Sequence, residues 1–432
     1  MRLHRELRTV TAALCLFAAA TSLRAAERGD PQYPDLLKIY PVRPPWAVAG
    51  VDFPVGVPAG TILKAPETIT QPGVAVETSH KYVAVSANDV VLDGYDFKGW
   101  EVELLAGATR LTIRNSRFQA GPTQKQAPIY AFWGGFLTLV SNTIDGNGPH
   151  SAVNPLVFLG SEGALIEHNL FEHVPDDAIN TSHDGRFVIQ KNLFTHLNYG
   201  AGHTDCVQTF FTPISQLKVA YNTVFQPPPD EAGFPGGGNA FVRVGDERGH
   251  TIRRLEIDHN TLVYRGTPAT RFANVFDISA DGGQVLQPAV HDNYIDPQGV
   301  VYGIWSPYVA ELIEPIYSGN IDLQSGRPIL AGISNSQTVG IPGAAPRAPE
   351  RVAVSRNSAG LKLSGLAAPA HRVVVSSDGP LATTHADSAG RWTATLPVPS
   401  PASVTISVVD PAGNASAPLV RTLDLSAPKV AQ

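Results

Sequence analysis

Two short segments of the chain carry acids in a matching pattern. Asp176-Asp177-Ala178-Ile179-Asn180 and Thr204-Asp205-Cys206-Val207-Gln208 superpose with a shift of 28 residues. If each occupies one turn of a stacked architecture, Asp177 lies over Asp205 and Asn180 over Gln208, about 4.8 Å apart. Carboxylates that close share a proton, hold a hard cation such as calcium, or divide the work of acid and base. Cleavage of a glycosidic bond by such a pair needs carboxyls about 5–5.5 Å apart for retention or about 6.5–9.5 Å for inversion. Aspartates at the start of a strand also suit the plain task of capping a turn.

His203 stands two residues before Asp205, after Gly200-Ala201-Gly202, a run that lets the backbone turn sharply or approach a ligand. His173, His183-Asp184 and His196 lie nearby. A histidine beside carboxylates can act as a general base near neutral pH, and this clustering sets His203 above the others, which suit surface turns. In Asn239-Ala240-Phe241-Val242-Arg243-Val244, inward-facing valines send Arg243 outward, beside the acids. Asp277, in NVFDIS, faces outward by the same alternation, with Asp246, Arg248 and His250 in between. An outward arginine pairs with the carboxylate of a uronate, or with Asp246 or Asp277 in a salt bridge. The insertion QPPPDEAGFPGGG is long enough to overhang this face and lay Phe234 on a sugar ring. No HExxH or comparable ligand spacing occurs, so spacing predicts no metal site beyond the calcium that the acid pair leaves open.

What must position these residues is a repeat: alternating apolar residues, a short polar step, Asn, then an apolar residue. It appears as LTIRNSRF ending at Phe118, LTLVSNTI at Ile144, ALIEHNLF at Phe171 and FVIQKNLF at Phe194. It continues as LKVAYNTVF at Phe225, LEIDHNTL at Leu262, PAVHDNYI at Ile295 and PIYSGNI at Ile321. The asparagines Asn115, Asn142, Asn169, Asn192, Asn222, Asn260, Asn293 and Asn320 are separated by 27, 27, 23, 30, 38, 33 and 27 residues. Two-residue alternation inside a unit of that length predicts strand-turn-strand coils that stack to bury a shared core, with the asparagines bonding from coil to coil.

The phrase resembles the right-handed parallel β-helix of pectate lyases, polygalacturonases and related polysaccharide-acting proteins, over roughly Tyr82 to Leu330. DDAIN is similar to the paired-aspartate strand of polygalacturonases and TDCVQ to their other aspartate-bearing strand; the later Gly-His-Gly and Arg-x-Lys motifs are absent. LxxLxL and WD signatures are also missing, which sets leucine-rich repeats and propellers aside. Farther on, RVAVS, LKLSG, HRVVVSS, RWTATL and SVTISVVD read as short antiparallel strands, and the segment resembles the bacterial Ig-like modules appended to exported enzymes and adhesins. The predicted fold is all-β: a right-handed parallel β-helix followed by a small Ig-like β-sandwich.

The expected organisation is a signal peptide over 1–26, an N-terminal cap over 27–80, the β-helix over 81–330, a small-residue, Pro-rich linker over 331–350 and the sandwich over 351–432. Arg2, Arg5 and Arg8, the apolar stretch Thr9 to Leu23 and Ala25-Ala26 carry the signal reading, hence a secreted or periplasmic protein. Cleavage there leaves Cys206 alone, so no internal disulfide is expected. Charged residues make up 16%, beside 39 glycines and 36 prolines, which favours turns over long solvated helices. A net charge of −6 argues against nucleic acid as a partner. A monomer without a membrane span, acting on a polysaccharide, is expected. A lyase cleaving a uronate-containing polysaccharide stands first, with His203, Asp205, Arg243 and Asp177 catalytic and with Asn180, Gln208, Asp277, His183 and Phe234 against the substrate. A glycoside hydrolase or epimerase using the paired aspartates is the alternative, and a non-catalytic envelope or adhesive rod is the competing class.

Overall fold

The computed structural model describes residues 29–122, 124, 126–151, 153–160, 162–199, 203–209, 214–229, 236–246, 251–280, 284–305, 311–313, 316–329, 348–357, 360–367, 371–377, 380–386, 390–396, 403–409, 416 and 418–423. The expected signal peptide, most of the linker, and Phe234, Arg248 and His250 lie outside them. The chain divides into two compact units. One is built from residues up to Phe272 with Ala280–Gly299 and Ala310–Pro328; the other combines Ala273–Ser279, Val300–Val309 and residues from Ile329 onward.

In the first unit each coil contributes one strand to each of three parallel sheets. The first sheet runs from Tyr82–Val85 through Glu101–Leu104, Ile129–Tyr130, Val157–Leu159, Ile179–Thr181 and Asp205–Thr209 to Ala240–Asp246. The second stacks nine strands from Val90–Asp93 to Ile316–Ser318, and the third nine from Asp96–Lys98 to Ile321–Asp322. This is a parallel β-helix. Alternation inside each strand drives it: in Arg186–Gln190, Phe187 and Ile189 are buried while the residues between them are not. One coil's Phe171 stacks on the next coil's Phe194 at 4.8 Å, one strand spacing.

The asparagines join consecutive coils at the corner between the second and third sheets. Asn192 Nδ2 donates to Ile166 O at 2.9 Å and to Asn222 Oδ1 at 3.0 Å, while Asn192 Oδ1 accepts from Asn169 N at 2.9 Å. The same exchange recurs through Asn320, with every rung from Asn142 onward buried. One expectation needs correction: Asn115 is not a rung. Thr143 pairs with Arg117, so Ser116 occupies the position opposite Asn142, and its N–H donates to Asn142 Oδ1 at 3.0 Å. Asn115 instead forms the bend, with φ +50°, as do Ser141, His168, Lys191, Tyr221, His259 and Asp292 in later coils. A left-handed residue is unfavourable outside glycine, and the buried rung residue that follows each bend, Ser116 after Asn115 and asparagine after the others, holds it there.

The N-terminal segment does more than adjoin the first coil. Val74–Glu77 pairs antiparallel with Tyr82–Val85 at the sheet edge. Residues 33–57, however, run lengthwise along the third sheet. Leu36, Leu37, Val48, Val51 and Val55 pack on the outer-face residues Leu170, Leu193, Phe225 and Val263 of successive coils. The Tyr40 hydroxyl fastens this strap by donating to Asp296 Oδ2 at 2.6 Å. The physical reason is that Leu170, Leu193, Phe225 and Val263 make an apolar stripe on the third sheet's outer face, and this stripe also needs cover.

In the second unit two antiparallel sheets are formed. One contains Glu350–Asn357, Gly360–Leu366 and Arg391–Leu396; the other contains Pro380–His385, Arg372–Ser376, Ser403–Val409 and Leu419–Thr422. Between them Leu363, Val373, Val375, Trp392 and Ile406 form a core of their own, as in an Ig-like sandwich. No helix among the described residues is long and apolar enough to cross a membrane.

The ladder makes a quantitative demand on stability. Asn192→Ala takes the side-chain partner from the buried Asn169 N–H and from the Ile166 carbonyl, and should lower the unfolding free energy by about 3–5 kcal/mol in denaturant titration. Asn115→Gly keeps the bend and removes only a half-buried bond to Asp93, and should cost under about 1 kcal/mol.

Candidate active site

The site forms where the chain leaves the third sheet and begins a first-sheet strand. Ile179 pairs with Val207 and Val207 with Val242, which puts Asn180, Gln208 and Arg243 in one outward column. Val242 and Val244 are buried and Arg243 is half-exposed, as alternation predicts. The two aspartates stack as expected, but their first task is structural. Asp177 Oδ1 accepts from Asp205 N at 2.8 Å, and Asp205 Oδ1 accepts from Ala240 N at 2.7 Å. Each caps the next coil, and they are 1% and 0% exposed.

Their remaining oxygens are what matter chemically. Asp177 Oδ2 accepts from Asn180 Nδ2 at 3.1 Å. Asp205 Oδ2 faces His203 Nδ1 at 3.4 Å, an ion-pair distance without hydrogen-bond alignment, and Asp177 Oδ1 lies 4.0 Å from the same nitrogen. On the ring's other side, Arg243 Nη1 is 3.5 Å from His203 Nε2. Arginine only donates, so Nε2 is the acceptor in this contact and the ring proton sits on Nδ1, toward the carboxylates. His203 is 53% exposed and is the titratable group of the cluster that solvent reaches most readily.

Burial, followed by the nearby Asp205 charge, pushes the Asp177 carboxyl up to about 7. Burial also raises Asp205, against the lowering effect of His203, Asn239 and Arg243. Asp205 in turn raises the His203 imidazole above its ordinary value, with Asp177 adding to the effect and burial and Arg243 opposing it. The three groups therefore share protons as one set. Cys206 takes no part as a nucleophile: it is fully buried, and burial pushes its thiol well above the usual range.

Of the other expected site residues, two are covered and one lies away from the cluster. Asn180 and Gln208 share the outward column but are only 2% and 4% exposed, so neither presents a free surface to a ligand. Alternation sets which way a side chain faces, and Asn154 and Asp177 close around Asn180. His183 lies past the opposite end of its strand, its ring 4.3 Å from Phe132, and burial lowers its pKa. Asp277 belongs to the strand Phe272–Ala280, whose residues 273–279 fall in the second unit. Phe234 is not among the described residues.

A column not foreseen stands one residue before the aspartates. Asn154, Asp176, Thr204 and Asn239 occupy this place in four consecutive coils; Asn154 Nδ2 donates to Asp176 Oδ2 at 2.9 Å and Asn239 Nδ2 to Asp205 Oδ1 at 3.0 Å. The signal was a polar residue recurring before each strand, at successive shifts of 22, 28 and 35 residues.

In a proton titration followed by NMR, the His203 midpoint should lie above 6.5 in the native protein and drop in Asp205→Asn, whose amide oxygen can still cap Ala240. Asp177→Asn should lower it less, because that carboxylate is farther from Nδ1. A midpoint unmoved by Asp205→Asn would break the pairing.

Comparison with known families identifies one region of the chain. The bacterial Ig domain family model (Big_6) matches residues 345–424, which span the two antiparallel sheets of the second unit. No curated protein matches the chain. Residues 345–424 are thus a bacterial Ig-like domain, carried on a chain whose preceding strands form a parallel β-helix.

Proposed function

We propose that the β-helix is a carbohydrate-active enzyme, a lyase that cleaves a uronate-containing polysaccharide. One observation carries this: a solvent-facing histidine has buried carboxylates behind one ring nitrogen and an arginine beside the other. β-Elimination needs that combination. The Arg243 guanidinium binds the C6 carboxylate of a uronate and stabilises the charge that builds on it. His203 Nε2, released from Arg243 by the incoming carboxylate, takes the proton from C5. The C5–H electrons become the C4–C5 double bond, the C4–O bond breaks, and the departing oxygen takes a proton from the imidazolium or from water. Asp205 holds the ring in the required tautomer and stabilises its charged form, while Asp177 supports the same side.

Hydrolysis by the aspartate pair fits less well, because each aspartate gives an oxygen to the next coil's backbone and neither is open to a glycosidic oxygen. C5 epimerisation shares the proton abstraction but returns a proton to the opposite face of C5 and leaves the C4–O bond intact. The Ig-like domain suits attachment to a surface or a polymer, and a purely adhesive role is the reading that activity assays must defeat. The signal peptide and the separate folding of the two parts belong to the same proposal.

The assay is a panel of acidic and neutral polysaccharides, monitored by absorbance of the unsaturated product and by reducing ends. A uronate polymer should yield both in parallel. His203→Gln should lower kcat by about 10²–10⁴, and Arg243→Ala by about 10²–10³ with a raised KM. Because Asp205 raises the imidazole pKa and only the neutral ring is a base, the rate should climb with pH through a midpoint above 6.5. In Asp205→Asn that limb should move to lower pH while the maximum falls. Reducing ends without unsaturation would eliminate the lyase.

A further inference from the structure

Away from this site, the corner between the second and third sheets brings together residues far apart in sequence. His259 and Asp292 are the left-handed bend residues of consecutive coils, and His291 ends the second-sheet strand Ala289–His291. The bend turns their side chains out of the core, where each of the three offers a nitrogen or oxygen within 4.8 Å of the others. The two imidazole rings are 6.1 Å apart and nearly perpendicular, at 84°. Donors around one tetrahedral zinc ion sit roughly 3.3 Å apart, so the three donors lie within about 1.5 Å of that spacing.

The surroundings of His259 are those of a prepared ligand. Its Nδ1 lies 2.6 Å from Asp258 Oδ1, and Asp258 is 2% exposed with its charge balanced by Lys218 Nζ at 3.2 Å from Oδ2. A buried carboxylate on Nδ1 fixes the tautomer and leaves Nε2 as the outward nitrogen, the usual support behind a metal-bound histidine. The ring is also held between Tyr221, stacked at 4.7 Å, and Trp46 of the N-terminal strap, edge-on at 4.9 Å. Asp292 Oδ2 contacts His291 Nδ1 at 2.8 Å, a contact that an ion can replace once the ring gives up its proton.

We propose that His259, His291 and Asp292 form a binding site for a divalent transition-metal ion, with zinc as the first candidate. Two imidazoles and one carboxylate suit zinc, whereas calcium and magnesium prefer all-oxygen donors. A bound ion would tie two coils together where the strap docks. The spacing of 32 and 33 residues between these ligands is why no local motif announces them.

The test uses the untagged full chain, stripped with chelator, dialysed against zinc and assayed by metal analysis and calorimetry. One zinc per chain should bind, and the thermal midpoint should rise with zinc concentration. His259→Gln and His291→Gln should each abolish this binding. Asp292→Asn, on a half-exposed side chain, keeps the test decisive if a histidine variant fails to fold, and should weaken binding at least tenfold. Asp258→Asn, a positioning change, should weaken it by about 10–100-fold without altering stoichiometry. Absence of zinc binding, or zinc retained unchanged in folded His259→Gln or Asp292→Asn protein, would overturn the assignment.

Discussion

Everything in the β-helix depends on coil-to-coil register, and the buried amides enforce it. A parallel stack has no hairpin turns to fix its alignment, and a slip of one residue would turn every core side chain outward. The asparagine rungs prevent this because a slip strands several buried donors and acceptors at once, each costing about 1–3 kcal/mol. Packing of stacked rings such as Phe171 on Phe194 then adds to a register already set.

The candidate active site uses the same device in another form. Asp177 caps Asp205 and Asp205 caps Ala240, so the aspartates are rungs of a second, shorter ladder. A carboxylate does this with one oxygen and keeps the other for a neighbour, which is how a buried structural residue also comes to hold His203. Arg243 reaches the same histidine because its strand is in register with the strand bearing Gln208. Structural order and the electrostatics of His203 are therefore not separable at this position: the acids beside the histidine are the acids that hold the coils.

Much of this was legible in the sequence. The repeat showed the coils, the 28-residue superposition showed that Asp177 lies beside Asp205, and alternation showed Arg243 facing out between Val242 and Val244. Burial on the outer face was not legible, because period-two patterning distinguishes inside from outside but says nothing about what covers the outside. Asn180 and Gln208 were lost for that reason, and the strap over Leu193 and Phe225 was unforeseen for the same reason. The rung was misassigned by one residue at Asn115 because Ser116 replaces asparagine there. His259 and His291 carried no signal at all, since each is an ordinary polar residue in its own repeat and only stacking joins them.

The role of His203 is best judged by isotopic substitution at the bond it is held to break. An oligosaccharide of the accepted uronate, deuterated at C5, should turn over more slowly than its protiated twin, with unsaturated product formed in proportion. Equal rates for both substrates, in an enzyme that releases reducing ends without unsaturation, would contradict proton removal by His203 as the reaction of this site.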